Sequence, residues 1–462
     1  MWSRVIRGAS NEASPRPTLR TIDAVAVTIG VVLGAGIFKA PSLVAAHSAS
    51  EAALIAIWIA GGLASLVGAL CYAELASAFP HAGGDYHYLR RALGRAPSFL
   101  FAWARLSVIP TGSIALLAFV FGDYATQILP LGAASPAIYA AALVVVLTAL
   151  NLVGLRHGTR AQNALTALEV VGVGCIIVAG FASGPAPAAA APAPAGEGGG
   201  TLGLALVFVL LTYGGWNEVA TLSAEMRGSR RSLARALIAS LAAITIIYVL
   251  VNLAFLNVLG LAGMAASDAV AADLMQHALG RWGALVLSVL IAVAALTSAN
   301  ATMITAARTS FAFGRDSALF AGLGRFEARA GCPAPALLAL GGVSLALVGI
   351  GALARDGFEA MVAYTAPVFW LFFLLTGVSL FVLRIREPDA PRPFRVPLYP
   401  LTPLVFCATS AYLLYSSLAY TGVGALVGVA VLALGGVLWL VECRLVRHRR
   451  ALAALPPVSR VP

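Results

Sequence analysis

Residues 29–41 read IGVVLGAGIFKAP and lie inside the first long apolar stretch of the chain, 24–44. About 20 apolar residues are enough to cross the hydrocarbon core of a bilayer as a helix. Gly34 and Gly36 stand in the middle of this stretch, and Lys39 and a proline follow them. Glycine weakens a helix, and proline removes a backbone donor. The stretch therefore predicts a membrane helix that is interrupted near its middle.

The composition is that of a membrane protein. Of the 462 residues, 60% are hydrophobic and 11% are charged, and the mean hydropathy is +0.91. Soluble domains are typically about 45–50% apolar and about 25% charged, so a soluble core could not bury this much apolar surface. The net charge of +11 comes from basic residues in short gaps between apolar runs. That pattern indicates membrane topology and excludes a nucleic-acid-binding surface.

The sequence carries no pattern typical of an enzyme or a metal site. Its five cysteines have neither a disulfide framework nor metal-ligand spacing. The apolar runs contain no H-E-x-x-H or G-x-S-x-G motif, and the single lysine, Lys39, lacks the context of a phosphate-binding loop. We therefore expect a protein that is not an enzyme and that uses no metal or cofactor.

Twelve apolar runs match the length of a membrane helix. The spans are predicted at 21–46, 52–78, 97–122, 136–154, 162–182, 202–225, 233–260, 283–310, 334–354, 358–384, 400–420 and 422–443. With both termini inside, 26 of the 29 arginines fall in cytoplasmic segments. Because cytoplasmic loops are enriched in basic residues, this distribution predicts cytoplasmic N and C termini. Before the eighth span, residues 266–280 have the spacing of a short surface helix.

The sixth span is interrupted as well. It reads LVFVLLTYGGWNEVATLSAEM at 206–226, with Gly214 and Gly215 near its middle. If the first ten spans form two halves of five, both interruptions fall on the first helix of a half. Interrupted segments at corresponding positions indicate the binding site of an inverted-repeat transporter. The alternative is that the glycines only let neighbouring helices pack closely.

The interrupted backbone itself predicts a binding site. Unwound backbone is tolerated in a membrane only where it faces a protein-lined cavity. We therefore expect the freed amides of Gly34, Ala35 and Gly36 to hold an anion such as a carboxylate. The carbonyls that end the inner half-helix, from Thr28 to Gly30, are expected to accept hydrogen bonds from an ammonium group.

Five segments resemble signature motifs of the amino acid–polyamine–organocation superfamily. They are VLGAGIFKAPSLVA at 32–45, AELASAFPHAGGDYHYLRRALG at 73–94, YGGWNEVATLSAEM at 213–226, SANATMITAARTSFAFGRDSALF at 298–320 and REPDAPRPFRVPLYP at 386–400. Within this superfamily, the chain resembles bacterial relatives of the L-type amino acid transporters. The resemblance implies an all-α polytopic membrane protein with 12 transmembrane helices. Ten would form a 5+5 inverted repeat with discontinuous helices 1 and 6, followed by two C-terminal helices.

That arrangement divides the chain into seven segments. They are a cytoplasmic tail (1–20), the first five-helix repeat (21–182), an external Pro/Ala/Gly linker (183–201), the second five-helix repeat (202–384), a cytoplasmic loop (385–399), helices 11 and 12 (400–443) and a cytoplasmic tail (444–462).

The resemblance also implies alternating access and a set of substrate-binding residues. The substrate carboxylate would meet the backbone from Gly34 to Ile37, and its amino group would meet carbonyls near Thr28, Ile29 and Tyr213. The full expected set is Thr28, Ile29, Gly30, Gly34, Ala35, Gly36, Ile37, Tyr213, Gly214, Gly215, Trp216 and Asn217. The third and eighth helices would complete the pocket for the substrate side chain.

Two charged side chains, Arg105 and Glu169, lie deep within predicted spans, about eight residues from the cytoplasmic ends, and they are the candidates for coupling. Many family members that work without sodium carry a lysine in helix five, where this chain has Glu169. Arg105 lies at a similar depth in the third span. Three interpretations are open. The two residues form an ion pair, Glu169 carries a coupled proton, or Arg105 snorkels while Glu169 lines a water cavity.

Three further ionisable residues lie in or near the spans. Lys39 is expected to snorkel to the surface of the outer half-helix and not to contact substrate. Glu218 fits either a cytoplasmic gate or a solvated vestibule. Glu74, near a cytoplasmic helix end, fits either a structural or a gating role.

These features predict a secondary active transporter of amino acids in the inner (cytoplasmic) membrane of a bacterium. Neutral amino acids are the expected substrates, because Asn217 stands beside the second interruption and Glu169 is the only obvious deep acid. Proton symport and exchange are both open, so the expected partners are the substrate, protons and the lipid bilayer. The alternatives are a transporter of polyamines or cationic amino acids that uses Glu169, and a sensor that binds substrate without transporting it.

Overall fold

The structure is a computed structural model. It describes residues 25, 28–30, 32–81, 83–153, 159–185, 201–218, 231–327, 332–354, 356–420 and 423–453. The predicted tail 1–20, most of the predicted linker 183–201 and the end of the predicted tail 444–462 lie outside these ranges. Within them, regular structure is helical throughout, apart from one isolated bridge between Glu327 and Cys332. The all-α class is therefore confirmed for the described part of the chain.

Fourteen α-helices are described, and we label them in chain order. They are α1 (Ala40–Ala46), α2 (Glu51–Ala78), α3 (Asp85–Ala92), α4 (Arg95–Ser107), α5 (Ile109–Ile128), α6 (Ser135–Leu152), α7 (Thr159–Ala182), α8 (Thr201–Thr212), α9 (Arg231–Ala266), α10 (Val270–Asp316), α11 (Ala334–Gly351), α12 (Gly357–Arg386), α13 (Leu401–Tyr420) and α14 (Val423–Ala453). One turn of 3-10 helix, Ala35–Phe38, precedes α1.

In the described ranges, nine helical stretches are long and apolar enough to cross a membrane. They correspond to nine of the twelve predicted spans. The first predicted span is interrupted before α1, and the fifth and sixth contribute shorter apolar helices, Ala167–Ala182 and Leu202–Thr212. The structure therefore supports a polytopic membrane protein, while the count of twelve spans and the inverted repeat stay predictions.

Local chemistry explains where several helices begin. The Ser50 hydroxyl accepts a hydrogen bond from the amide of Ala53 at 3.1 Å, and α2 begins at the next residue. The carboxylate of Asp356 caps α12 in the same way, by accepting from the amide of Glu359 at 3.0 Å. These side chains satisfy amides that have no partner inside the helix. Proline occupies the first turn of α5, α6 and α11, where its missing N–H is not needed.

Two predicted helices differ in detail. The third predicted span, 97–122, is divided at Val108 into α4 and α5. Pro110 explains the division, because its nitrogen cannot donate to the preceding turn. The surface helix expected at 266–280 is present as the start of α10, which bends at Gly280, where φ is +70°. That left-handed backbone favours glycine.

The core encloses the two interrupted segments. A buried aromatic cluster forms between Trp58 of α2, Tyr213 just after α8, and Tyr248 of α9. Its ring centroids are 4.9–6.1 Å apart. Helix α9 packs against α2, and α10 packs against α5. These contacts hold both interruptions in the interior of the protein, where unwound backbone can be satisfied without lipid contact.

A buried ionic cluster joins the ends of α2 and α12. Glu74 is fully buried and accepts hydrogen bonds from Arg384 Nε at 2.8 Å and from the amide of Val396 at 2.6 Å. Arg392 Nε lies 3.4 Å from the same carboxylate. Several charge-assisted bonds to one carboxylate fix its position. These contacts support the structural role for Glu74, which ties α2 to α12 and to the loop that follows.

Candidate functional site

A cavity of about 470 Å³ lies between the two interruptions. The interrupted segments contribute Val32, Gly34, Ala35, Gly36, Leu211, Thr212, Gly214, Gly215, Asn217 and Glu218 to its wall. Helices α3, α4, α5, α10 and α12 form the rest, with residues that include Asp85, Arg105, Ser113, Leu116, Leu117, Ser298, Thr302, Thr305, Thr365, Phe369 and Phe373. The volume falls within the range of small-molecule sites, about 300–1,000 Å³.

The first interruption belongs to the cavity wall and includes backbone amides that lack an acceptor in the described part of the chain. The helical segment ends at Val32, and the amide of Gly34 donates to the Val32 carbonyl at 2.7 Å. The 3-10 turn then begins at Ala35 without a side-chain cap. Among the described residues, the amides of Ala35 and Gly36 have no hydrogen-bond acceptor. Both residues line the cavity, so these amides can serve an anion.

The second interruption lies directly against the first. Helix α8 ends at Thr212, and a Cβ on Gly36 would lie only 3.5 Å from Thr212 Cγ2. Gly215 has φ +106°, a left-handed conformation that favours glycine, and its carbonyl accepts from the amide of Glu218 at 3.0 Å. A Cβ on Gly214 would lie 2.8 Å from the carbonyl oxygen of Leu211. Glycine is therefore needed at this turn for backbone reasons.

Tyr248 connects the two interruptions through one hydroxyl. Its Oη donates to the Val32 carbonyl at 2.8 Å and lies 3.3 Å from the Thr212 carbonyl. Each carbonyl ends a helical segment, where the helix dipole is negative. One O–H has a single hydrogen, so it cannot satisfy both carbonyls at once. The Val32 carbonyl also accepts from the amide of Gly34, so the Thr212 carbonyl is the one with capacity for an additional hydrogen-bond donor or a cation.

Part of the expected substrate-binding set lines the cavity. Those residues are Gly34, Ala35, Gly36, Gly214, Gly215 and Asn217. The other members, which are not in the cavity wall, are Thr28, Ile29, Gly30, Ile37, Tyr213 and Trp216. The Ile29 carbonyl accepts from the amide of Leu33 at 2.7 Å, and Tyr213 Oη donates to the Trp58 carbonyl at 3.1 Å. The residues of the cavity wall whose carbonyls end helical segments are instead Val32 and Thr212.

The ion pair between Arg105 and Glu169, one of the three open interpretations, does not form among the described residues. Arg105 lies in the cavity wall and donates to Glu218 Oε1 at 2.6 Å. Glu169, on α7, is 5% exposed and outside the cavity wall, and its Oε1 has no hydrogen-bond partner among the described residues. The two residues lie at the same depth in their predicted spans, which made a contact conceivable. Depth does not show in which direction each side chain points. The ion-pair contact also shows that Glu218 is more than a solvated carboxylate.

The expectation that Lys39 snorkels to the surface is also wrong. The residue is 3% exposed, and its ammonium is paired with the carboxylates of Asp123 and Asp356. These partners come from α5 and from the residue before α12, far from Lys39 in the sequence. A long apolar stem allows a lysine to reach either water or a distant carboxylate, and local pattern does not distinguish the two.

Asp85 is a cavity residue for which the sequence offered no expectation. It begins the short helix α3, outside the predicted spans, and lies close to Thr376 of α12, whose hydroxyl is 3.4 Å from Oδ1. Burial raises the pKa of the Asp85 carboxyl to about 7; Glu218 acts in the same direction, whereas Tyr72, Arg105 and Thr376 act against it. This group therefore changes charge near neutral pH at the cavity wall.

The sequence is similar to those of known amino acid permeases. The family model for amino acid permeases matches residues 19–440. The chain is 29% identical to the b(0,+)-type amino acid transporter 1 of Mus musculus over 85% of this chain and 81% of that protein. It is 29% identical to the large neutral amino acids transporter small subunit 2 of Oryctolagus cuniculus, over 90% of this chain and 80% of that protein.

The family match covers the greater part of the chain, including both interruptions and every helix that lines the cavity. It confirms the predicted resemblance, and it confirms that the chain is a transporter and not an enzyme. The chain belongs to the amino acid permease family of the amino acid–polyamine–organocation superfamily.

Proposed function

We propose that the protein is a secondary active transporter that carries amino acids by alternating access, with the substrate in the cavity between the two interruptions. The observation that carries this proposal is the pair of amides at Ala35 and Gly36, which have no acceptor among the described residues. Both residues belong to the cavity wall, as do Val32 and Thr212, whose carbonyls end helical segments. A free amino acid carries one carboxylate and one ammonium on neighbouring atoms. A wall with adjacent anion-favouring and cation-favouring backbone is complementary to it.

The proposed pose refines the expectation from the sequence. The carboxylate accepts from the amides of Ala35 and Gly36. The ammonium donates to the carbonyl of Thr212 and lies beside that of Val32, in place of Thr28, Ile29 and Tyr213. The Ala35 and Gly36 amides and the Thr212 carbonyl belong to residues of the cavity wall and have hydrogen-bonding capacity left among the described residues. The Val32 carbonyl already accepts from Gly34 and Tyr248 and contributes only the negative end of its helical segment.

We propose neutral amino acids as the main substrates. Helices α5 and α12 contribute the apolar residues Leu116, Leu117, Phe369 and Phe373 to the wall, and the uncharged hydroxyls come from Ser113, Thr365 and α10. The apolar or hydroxylated side chain of a neutral amino acid would lose its water there without leaving a charge unpaired. A cationic amino acid or polyamine is the second candidate, and the carboxylate of Asp85 in the wall favours it.

We propose the inner membrane of a bacterium as the location, with both termini cytoplasmic and two five-helix repeats, as the arginine distribution and the motifs predict. In that topology Asp85 and Arg105 belong to the cytoplasmic end of the cavity, and Lys39 belongs to its external end.

Uptake of labelled amino acids tests the proposed function. The purified protein is reconstituted into proteoliposomes and given a pool of labelled amino acids and polyamines, with and without an inward proton gradient. Saturable uptake of an amino acid is expected, together with counterflow when the same amino acid is present inside. Polyamine uptake alone would select the second candidate, and binding without flux would make the protein a sensor.

Proton coupling has two candidate carriers. Glu169 is buried, and its Oε1 has no partner within the described part of the chain; Asp85 lies in the cavity wall, and burial raises its carboxyl pKa to about 7. If Glu169 carries the proton, Glu169→Gln removes stimulation by the gradient, since an amide cannot bind the proton, while Asp85→Asn keeps it. Initial uptake rates with and without the gradient measure this. The opposite pattern would assign coupling to Asp85, and stimulation in both variants would exclude both.

Tyr248→Phe is expected to raise the KM for amino acids by roughly 5- to 10-fold, because loss of a hydrogen bond of about 1–1.5 kcal/mol leaves the two carbonyls unpositioned. Tyr364→Phe is the matched control. Tyr364 is buried and donates to the carbonyl of Ser107 at 2.8 Å, away from the interruptions. Concentration-dependent uptake measures both variants, and an equal KM in Tyr248→Phe and Tyr364→Phe would contradict a positioning role.

A further inference from the structure

The ammonium of Lys39 holds four chain segments together. Lys39 stands between the 3-10 turn and α1, immediately after the first interruption. Its Nζ lies 3.1 Å from Asp123 Oδ2 and 3.0 Å from Asp356 Oδ2, and it donates to the carbonyl of Asp268 at 3.3 Å. Asp123 is near the end of α5, Asp268 precedes α10 and Asp356 caps α12. The three oxygens match the three N–H donors of one ammonium.

Each partner depends on the others. Lys39 is almost fully buried, and the side chains of Asp123 and Asp356 are 15% and 24% exposed. A buried charge that loses its partner is strongly destabilised. If Lys39 leaves, two carboxylates remain side by side, and like charges at this distance repel each other. The contact is therefore stable only when all three side chains take part. When it is released, the charged groups must become exposed to water.

The position of this contact relates it to the cavity. Gly34, Ala35 and Gly36 line the cavity, and Lys39 follows them by one turn. Tyr124, next to Asp123, donates to the carbonyl of Phe38 at 2.8 Å and strengthens the same junction. In the proposed topology, the ends of α5, α10 and α12 that meet here all face the outside. The contact thus lies between the substrate cavity and the external solution.

We propose that Lys39, Asp123 and Asp356 form the external gate of the transporter, closed in this structure and opened once in each transport cycle. This inference rests on the proposed alternating-access function. It gives Lys39 a role that neither substrate contact nor surface snorkelling provides. Opening moves the segment after the first interruption away from α5 and α12, which exposes the ammonium to the outside.

The gate can be observed chemically because Lys39 is the only lysine in the chain. Right-side-out and inside-out vesicles containing the full chain are treated with the membrane-impermeant amine reagent sulfo-N-hydroxysuccinimide acetate. The extent of acetylation at Lys39 is then followed over time by mass spectrometry of the peptide that contains it. A denatured sample gives the rate for a fully accessible amine.

Acetylation in right-side-out vesicles, slower than in the denatured sample and faster than in inside-out vesicles, is expected. Acetylation only after denaturation would show a permanently closed contact and would overturn the proposal. Faster acetylation from the cytoplasmic side would overturn it as well. The assay measures no flux, so external acetylation of a protein that transports no amino acid would support the gate and contradict the proposed function.

Variants of the two carboxylates sharpen the test. Asp123→Asn and Asp356→Asn each remove one charge from the gate, and asparagine at 356 retains a side-chain oxygen that can cap α12. Loss of a hydrogen bond to a charged group corresponds to roughly a 10- to 100-fold change in an equilibrium. We expect acetylation of Lys39 from the outside to accelerate by that factor.

Glu387→Gln is the matched control. It weakens the exposed pair with Arg91, at the opposite end of α12 from the gate, and is expected to leave the acetylation rate of Lys39 unchanged. Equal rates in the wild type and both aspartate variants would contradict the gate. Lys39→Met, which cannot re-form the contact, is expected to lose at least 10-fold in counterflow rate. Wild-type counterflow in that variant would also overturn the proposal.

Discussion

Gly34→Val is expected to abolish amino acid uptake while the protein stays folded. The backbone at Gly34 has φ −92° and ψ 178°, which valine adopts without strain. A Cβ at this position would meet no atom within 4 Å, and Gly34 lines the cavity. The valine side chain would therefore occupy space that the substrate carboxylate needs beside Ala35 and Gly36. Loss of two charge-assisted hydrogen bonds predicts at least a roughly 100-fold fall in uptake rate.

Gly342→Val is the matched control for this variant. Gly342 lies on the exposed face of α11, and a Cβ there would also meet no atom within 4 Å. Both proteins should elute as the wild type does on size exclusion and should show the same helical circular dichroism. Wild-type uptake by Gly34→Val would show that the first interruption does not bind the substrate. Gly36 offers a less clean test, because a Cβ there already touches Thr212.

Glu74→Ala is expected to produce the largest loss of stability. The substitution leaves Arg384, Arg392 and the amide of Val396 without their common acceptor at a fully buried position. Breaking a buried ion pair from one side costs about 3–5 kcal/mol. The apparent Tm of the detergent-solubilised protein, followed by tryptophan fluorescence, should fall clearly, and the yield of folded protein should fall with it.

Glu387→Ala tests whether burial is the reason for that loss. Glu387 forms a two-bond pair with Arg91, at 2.6 Å for each bond, but both side chains are substantially exposed. Exposed pairs contribute about 0–1 kcal/mol, so the apparent Tm should change little. Equal losses in the Glu74 and Glu387 variants would contradict the structural role assigned to Glu74.

The interruptions could be predicted from the sequence because their causes are local. Gly34 and Gly36, like Gly214 and Gly215, stand inside apolar runs where glycine has no other evident purpose. The structure has helix ends and turns at both places. The membrane class followed from composition for a similar reason, since apolar content is a property of the whole chain and needs no knowledge of contacts.

The partners of charged residues could not be predicted in this way. Depth alone made Glu169 one candidate partner of Arg105, yet Arg105 bonds to Glu218, just beyond the second interruption. Which side of a helix faces which neighbour depends on the packing of several helices. The gate partners of Lys39 come from helices that are distant in sequence, so no local pattern connected them.

The carbonyls that end the helical segments in the cavity wall also differ from the expected ones. The first helical segment continues to Val32, and its last carbonyl, not those from Thr28 to Gly30, meets Tyr248. A glycine predicts that a helix ends nearby, but the last hydrogen-bonded residue is decided by side chains such as this tyrosine.

A structure of the protein with a transported amino acid bound tests the central claim most directly. The account predicts density for the amino acid between the two interruptions, with its carboxylate within hydrogen-bonding distance of the amides of Ala35 and Gly36. The ammonium should lie beside the carbonyls of Val32 and Thr212. An amino acid whose carboxylate instead binds Arg105, with the Ala35 and Gly36 amides left empty, would contradict the account.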